Sequence, residues 1–88
     1  MKQQPPSANR VFIADDQPEV LDLLADKLRS RGKVVEAFPS GARLTERLAV
    51  DDDGVELVVL DLDFGAGEPD GIEALKRIKE QWPDMPVI

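Results

Sequence analysis

The sequence predicts an α/β domain: a parallel sheet with helices on both faces. Short apolar runs alternate with segments whose aliphatic residues recur at helical spacing, in the order βαβαβαβ. Residues 57–60 are aliphatic without polar alternation, which is typical of a strand covered on both faces. Charged residues in the second run favour an edge strand, and right-handed crossovers then give the spatial order 2-1-3-4.

The first half of the chain contains two strand–helix units. Residues 10–14 predict the first strand, and the proline after Gln17 opens the first helix, since proline suits the first helical turn. Residues 33–38 predict a short second strand. Ser40 is the expected N-cap of a second helix that ends near Val50. Apolar residues at helical spacing predict the buried faces: Val20, Leu21, Leu23, Leu24 and Leu28 in the first helix, and Leu44 and Leu48 in the second.

The second half repeats this pattern. Residues 51–54 (DDDG) predict a turn with solvated aspartates, and the third strand follows it. After a glycine-containing loop, Asp70 is the expected cap of a third helix that ends at Trp82 and Pro83. Residues 85–88 begin a fourth strand. The expected buried face of the third helix consists of Ile72, Ala74, Leu75 and Ile78.

Composition excludes several classes of function. The net charge of −7 argues against a nucleic-acid-binding surface, and no apolar run is long enough for a membrane span. With no cysteine and no histidine, any metal must be held by oxygen, which favours Mg²⁺, Ca²⁺ or Mn²⁺. The N-terminus lacks the apolar core of a signal peptide, so we expect a cytoplasmic protein. Residues 1–9 are polar and predict a flexible tail before a domain at residues 10–88.

Two of the predicted strands end in carboxylates. Asp15 and Asp16 follow the first strand, and Asp61 follows the third. Because the predicted order makes these strands parallel neighbours, the three acids should meet at the carboxyl edge of the sheet, where open α/β sheets bind ligands. Two carboxylates about 4 Å apart repel by roughly 4 kcal/mol at an effective dielectric of 20, so the cluster must take up protons or a cation. Mg²⁺ would leave room for a phosphoryl group and one aspartate free to attack it.

Four segments resemble the receiver domain of bacterial two-component response regulators: residues 12–18 (FIADDQP), 57–62 (LVVLDL), 70–75 (DGIEAL) and 85–88 (MPVI). The resemblance runs from residue 10 to residue 88. It implies the flavodoxin-like receiver fold without its C-terminal strand and helices. It also implies a phosphoacceptor signalling domain rather than an enzyme.

The resemblance assigns roles to particular residues. It implies that Asp61 accepts the phosphoryl group, that Asp16 binds Mg²⁺ directly and that Asp15 acts mostly through water. The backbone carbonyl of Asp63 would be a further metal ligand. The phosphoryl group would come from a phosphohistidine on a sensor histidine kinase or a histidine phosphotransfer protein.

The sequence departs from the family in three places. The loop after Asp61 is about two residues longer than the usual proline-glycine turn. The family has a Ser or Thr just past the fourth strand and a Lys at the end of a fifth. Here the only threonine is Thr45, in the second helix, and the lysines lie in the tail, on helices or in the edge strand. We therefore expect a fragment, or a chain that self-associates through an incomplete sheet edge.

Two alternatives remain open from the sequence. Asp61 and Asp63 have the D-x-D spacing of haloacid-dehalogenase-like phosphatases, although that motif usually ends the first strand. The second alternative is a receiver-like interaction module that works by protein contact and is never phosphorylated.

Overall fold

A computed structural model of the chain describes residues 9–61 and 70–88. The elements in these ranges are β1 (Arg10–Ala14), α1 (Pro18–Arg29), β2 (Val34–Phe38), α2 (Gly41–Val50), β3 (Val55–Leu60) and α3 (Asp70–Gln81). They match the predicted elements to within one residue at most boundaries. The tail at residues 1–8, the loop at residues 62–69 and the predicted capping side chain of Asp70 lie outside the description.

The sheet is parallel, with the strand order β2-β1-β3. Five residues of β1 pair with β2 on one side, and five pair with β3 on the other. Segment 86–88 runs beside β3, where Val58 N–H donates to the Pro86 carbonyl (3.0 Å) and Leu60 N–H to the Ile88 carbonyl (2.9 Å). The predicted order 2-1-3-4 is therefore confirmed for the first three strands. The fourth segment lies in its expected place but contributes only one bridge pair, Val58 with Val87.

Helices cover the sheet on both faces and enclose two apolar cores. α1 packs on one face, and α2 and α3 pack on the other. The larger core, under α2 and α3, contains Phe12, Ala14, Leu44, Leu48, Val58, Leu60, Ala74 and Ile78. The smaller core, under α1, contains Val11, Ile13, Ala25 and Val35, with Leu57 and Val59 only partly buried against it. These cores give the three-layer arrangement predicted from the sequence.

Two apolar residues predicted on buried helix faces are instead exposed: Leu23 (60%) and Ile72 (47%). Successive residues of an α-helix turn by about 100°. Leu23 therefore lies roughly 160° around the helix from Ala25, the buried residue of α1. Ile72 lies at a similar angle from Ala74, which is buried in α3 together with Ile78. A narrow sheet buries one stripe per helix, so residues so far around the helix face solvent.

An irregularity at the start of β3 sets the register of the strand. Arg10 pairs with Val55, but Val11 pairs with Leu57, so Glu56 is an extra residue in β3. Its carboxylate lies 2.5 Å from the Lys33 ammonium. Such bulges are rare in parallel sheets, and each inserts one residue into the side-chain alternation. Beyond it the pairing is regular up to the carboxyl edge, where the predicted acids lie.

A network of charged side chains joins the elements at the opposite, amino edge of the sheet. The Arg10 guanidinium lies 2.7 Å from Glu36 Oε2 and 3.1 Å from Asp51 Oδ1. Arg47 of α2 also contacts Glu36, at 3.1 Å. The predicted turn at residues 51–54 is present, but Asp51 pairs with arginine and Asp52 accepts a hydrogen bond from the Trp82 indole at 2.6 Å. These two aspartates are therefore structural as well as solvated.

None of the described helices combines the length and the hydropathy of a membrane-spanning segment.

Candidate metal and phosphoacceptor site

The backbone ladder of the sheet fixes the position of two of the predicted site residues. Asp61 N–H donates to the carbonyl of Ala14 at 3.1 Å, and Asp15 N–H donates to the carbonyl of Phe38 at 3.2 Å. Because Ala14 and Leu60 are paired, the residues that follow them leave the sheet side by side. The ends of β2, β1 and β3 thus share one edge, as the predicted strand order requires.

The structure brings the three predicted carboxylates together at this edge. One carboxylate oxygen from each of Asp15, Asp16 and Asp61 lies within 4.8 Å of the others. Asp15 is 9% exposed, Asp61 is half-buried and Asp16 is exposed. The fourth predicted ligand, the backbone carbonyl of Asp63, lies outside the described residues.

The charged form of Asp15 is destabilised by burial and by the two neighbouring carboxylates. Burial raises the pKa of its carboxyl above the ordinary value, and the neighbouring charges of Asp61 and Asp16 raise it further. One hydrogen bond acts in the other direction, since Gln17 N–H donates to Asp15 Oδ1 at 2.9 Å and lowers the pKa in part. A cation bound between these carboxylates would stabilise their charged forms, because each carboxylate would then be attracted to the cation.

The donor set fits a hard divalent cation. All three side chains present carboxylate oxygens, which Mg²⁺ and Ca²⁺ prefer. The mixed exposure of the three acids leaves the cluster open to solvent on one side, so water or a phosphate oxygen has access. The cluster could therefore hold a divalent cation through carboxylate oxygens.

Sequence reasoning missed two backbone groups that hold the site. The Phe38 carbonyl anchors Asp15, and the Gln17 N–H holds the Asp15 carboxylate in place. The contact with the Phe38 carbonyl could have been predicted, because an edge strand parallel to β1 must end beside the end of β1. The second follows from an Asx-type turn between β1 and α1, which aspartate favours.

Fold and site together define an open parallel α/β domain with an acidic ligand site at the carboxyl ends of its central strands. The family model described as the response regulator receiver domain matches residues 11–88. The chain belongs to this family. The match covers β1 through segment 86–88, so it includes all three carboxylates.

Several solved structures have the same fold. The N-terminal domain of a receiver protein from Methanoculleus marisnigri is 30% identical, with a TM-score of 0.74 over 89% of this chain and 62% of that one. A receiver domain protein from Clostridium thermocellum is 20% identical, with a TM-score of 0.79 over 89% of this chain and 60% of that one. A comparison with curated protein sequences gave no match.

The response regulator TrrA of Thermotoga maritima is also similar. Its complex with Mg²⁺ and BeF is 22% identical, with a TM-score of 0.79 over 90% of this chain and 65% of that one. TrrA is also known in complex with the histidine kinase ThkA, where it is 23% identical with a TM-score of 0.77 over the same shares of the chains. The present chain thus spans between 60% and 65% of the length of these relatives.

Proposed function

We propose that this chain is a phosphoacceptor domain that takes a phosphoryl group on Asp61. The observation that carries the proposal is the convergence of Asp15, Asp16 and Asp61 at one sheet edge, in a chain of the receiver domain family. The domain is a substrate of phosphotransfer that assists its own reaction, and it turns over no separate substrate.

The reaction is a displacement at phosphorus. A carboxylate oxygen of Asp61 attacks the phosphorus of a phosphohistidine, and an O–P bond forms as the P–N bond breaks. The electron pair of the P–N bond stays on the imidazole nitrogen, and Asp61 becomes an acyl phosphate. The half-buried position of Asp61 keeps its carboxylate accessible to the donor while the sheet holds its backbone.

Asp15 and Asp16 hold Mg²⁺ in this proposal, together with Asp61 and the backbone carbonyl of Asp63. When held by these residues, Mg²⁺ would supply positive charge that offsets the negative charge on the phosphoryl oxygens. Asp16, which is exposed, would bind it directly. Asp15, which is buried and hydrogen-bonded to Gln17, acts mostly through water and adds negative charge.

The proposed donor is a sensor histidine kinase or a histidine phosphotransfer protein. The complex of TrrA with a histidine kinase supports this choice, and the complex of TrrA with Mg²⁺ and BeF supports the metal. A cytoplasmic location is part of the proposal.

The first prediction tests Asp61 directly. Incubation of the chain with Mg²⁺ and acetyl phosphate should add the mass of one phosphoryl group to the intact protein. Asp61→Asn should abolish the adduct, because an amide oxygen is a far weaker nucleophile. Asp16→Ala should slow labelling and weaken Mg²⁺ binding. Asp26→Asn, which removes an exposed carboxylate near the C-terminal end of α1, is the matched control and should label normally. Normal labelling of Asp61→Asn would overturn the proposal.

A second candidate is the interaction module that works by protein contact and is never phosphorylated, which the sequence also left open. The absence of any mass adduct on the wild-type chain would favour this candidate.

A further inference from the structure

Strand β2 is an edge of the described sheet, and some of its backbone groups face outward. Its neighbour among the described strands is β1, on one side only. The N–H of Val34 donates to the carbonyl just before β1 at 3.0 Å, and the carbonyl of Phe38 accepts from the N–H just after β1 at 3.2 Å. Because backbone groups alternate in direction along a strand, the N–H and carbonyl groups of Val35 and Ala37 face the outer side. Such a row is a template for pairing with another strand.

The composition of β2 favours such pairing. Its sequence, VVEAF, is rich in residues common in strands, and Val34 is 51% exposed. The charged residues that were expected to discourage pairing at this edge are engaged within the chain. Lys33 pairs with Glu56, and Glu36 lies between two arginines. These partners offset their charge, so Lys33 and Glu36 give β2 little protection against another strand.

One arginine occupies the outer side of β2. Arg29 is the last residue of α1, the helix that packs against this strand, and its Nη2 donates to the Val35 carbonyl at 3.0 Å. Within residues 9–61 and 70–88, this is the only hydrogen bond to the outward groups of Val35 and Ala37. The donor is charged, so the bond is stronger than one between neutral groups. The guanidinium lies where the N–H of an added strand would have to bond.

We propose that Arg29 prevents a second copy of this chain from pairing along the outer edge of β2. A second copy is the matching partner, because antiparallel pairing of the same five residues about a two-fold axis is self-complementary. To pair, the added strand must displace the guanidinium from the Val35 carbonyl and so break a charged hydrogen bond. Loss of such a bond changes an equilibrium by about tenfold, and the arginine weakens association along β2 by that factor.

Replacement of the arginine tests the proposal. Arg29→Met keeps an apolar stem and removes the donor. Arg31→Met is the matched control, because it removes the same charge from an exposed arginine two residues further on. The readout is amide hydrogen exchange at Val35 and Ala37, followed by NMR at several protein concentrations, with the molar mass measured by light scattering. In Arg29→Met, exchange at both amides should slow as the concentration rises, with association along β2 about ten times tighter than in the wild type or in Arg31→Met.

Three results would overturn the proposal. Exchange at Val35 and Ala37 that stays independent of concentration in Arg29→Met would mean that removal of the guanidinium opens nothing. Equal slowing in Arg29→Met and Arg31→Met would assign the effect to net charge, and equal slowing in the wild type would mean that Arg29 blocks nothing. Should Arg29→Met not fold, Arg29→Gln against Arg31→Gln carries the same expectations, because a neutral and shorter side chain also loses the charged hydrogen bond.

The readout is specific to this edge of the sheet. Association through segment 86–88, which lies beside β3 on the other side of β1, would leave exchange at Val35 and Ala37 unchanged. The acidic cluster takes no part in the test. Loss of phosphoryl labelling would therefore contradict only the phosphoacceptor proposal, and unchanged exchange in Arg29→Met would contradict only the role of Arg29.

Discussion

At Asp15, a carboxylate that suits the binding of a cation lowers the stability of the fold when no cation is bound. The fold buries its carboxylate to 9% exposure and places two further carboxylates beside it. At an effective dielectric of 20, two such charges about 4 Å apart repel by roughly 4 kcal/mol, which is an upper limit for a site partly open to water. The protein therefore sacrifices stability at this position unless a cation is bound.

The second prediction follows from this repulsion. Without Mg²⁺ at neutral pH, Asp15→Asn should raise the free energy of unfolding, because it removes a buried charge and keeps an oxygen for the Gln17 N–H. Saturating Mg²⁺ should stabilise the wild type by about 2.7 kcal/mol at 100 times the dissociation constant, and the variant by much less. Urea unfolding with and without Mg²⁺ measures both effects. A variant that is less stable without Mg²⁺ would contradict the account of the site.

The third prediction concerns how the difference in free energy of unfolding between the wild type and Asp15→Asn, without Mg²⁺, depends on pH. The pKa of Asp15 is raised in the folded chain, so the native state holds this proton more tightly than the unfolded state. Stability without Mg²⁺ should therefore fall as pH rises from the ordinary aspartate value of 3.8 through the raised value. Below 3.8 the wild type and Asp15→Asn should have similar free energies of unfolding. A difference that persists there would have a cause other than charge.

The three site carboxylates could be predicted because they come directly after the two apolar runs that predict β1 and β3. The prediction that Leu23 and Ile72 are buried was wrong. Each is at helical spacing from another apolar residue, but the buried side of each helix is the side that carries Ala25 or Ala74. Which stripe is buried depends on the width of the sheet beneath the helix, and that is a tertiary property. The burial of Asp15 could not be read from the sequence for the same reason.

Arg10 joins three elements at the amino edge of the sheet. Its guanidinium contacts Glu36 on β2 and Asp51 after α2, and it lies 5.2 Å from the centre of the Phe12 ring. Burial alone would raise the pKa of Glu36, but hydrogen bonds from Arg10 and Arg47 outweigh it and lower the pKa below the ordinary value. Glu36 is therefore stabilising in its charged form.

The fourth prediction tests this network by pH. Because the folded pKa of Glu36 is lowered, its contribution is fully present above the ordinary glutamate value of 4.5 and is lost as pH falls through the folded value. Glu36→Gln should lower the free energy of unfolding at pH 7 by about 1 kcal/mol. The difference from the wild type should shrink in acid. Chemical denaturation at several pH values checks this, and a pH-independent difference would mean that packing, not charge, is responsible.

Helix α2 contributes through two leucines at i and i+4 that are fully buried, Leu44 and Leu48. The fifth prediction is that Leu48→Ala lowers the free energy of unfolding by about 2–5 kcal/mol, because it leaves a cavity in the larger core. Leu23→Ala is the matched control: the same substitution at a residue that is 60% exposed should have a much smaller effect. Thermal and urea unfolding distinguish the two. Equal losses would contradict the assignment of the buried face.

At the scale of the whole molecule, the order of elements was predictable, but the extent to which the fourth segment pairs with β3 was not. Alternating apolar runs and helical stripes, with short connections, admit few topologies once crossovers are right-handed. The fourth segment has the aliphatic character of a strand, yet it makes only one bridge pair with β3. The number of backbone hydrogen bonds between two segments is a tertiary property, which the local sequence does not specify.

Self-association, which the sequence led us to expect, stays a prediction. Leu57 and Val59 are only half-buried, and Ile88 is 76% exposed beside β3. Light scattering on a sizing column would settle the state of the chain, since a well-folded monomer at all concentrations would contradict the expectation.

The extra residue at Glu56 has a consequence for how this domain tolerates change. Insertions and deletions that arise around the turn at residues 51–54 can be absorbed where β3 begins, because a bulge there takes up one residue before regular pairing starts. Alternation beyond that point is unaffected, and the acids at the far end keep their orientation. Length variation and chemistry are thus kept at opposite ends of one strand, so a change in the length of the turn leaves the orientation of the reactive end unchanged.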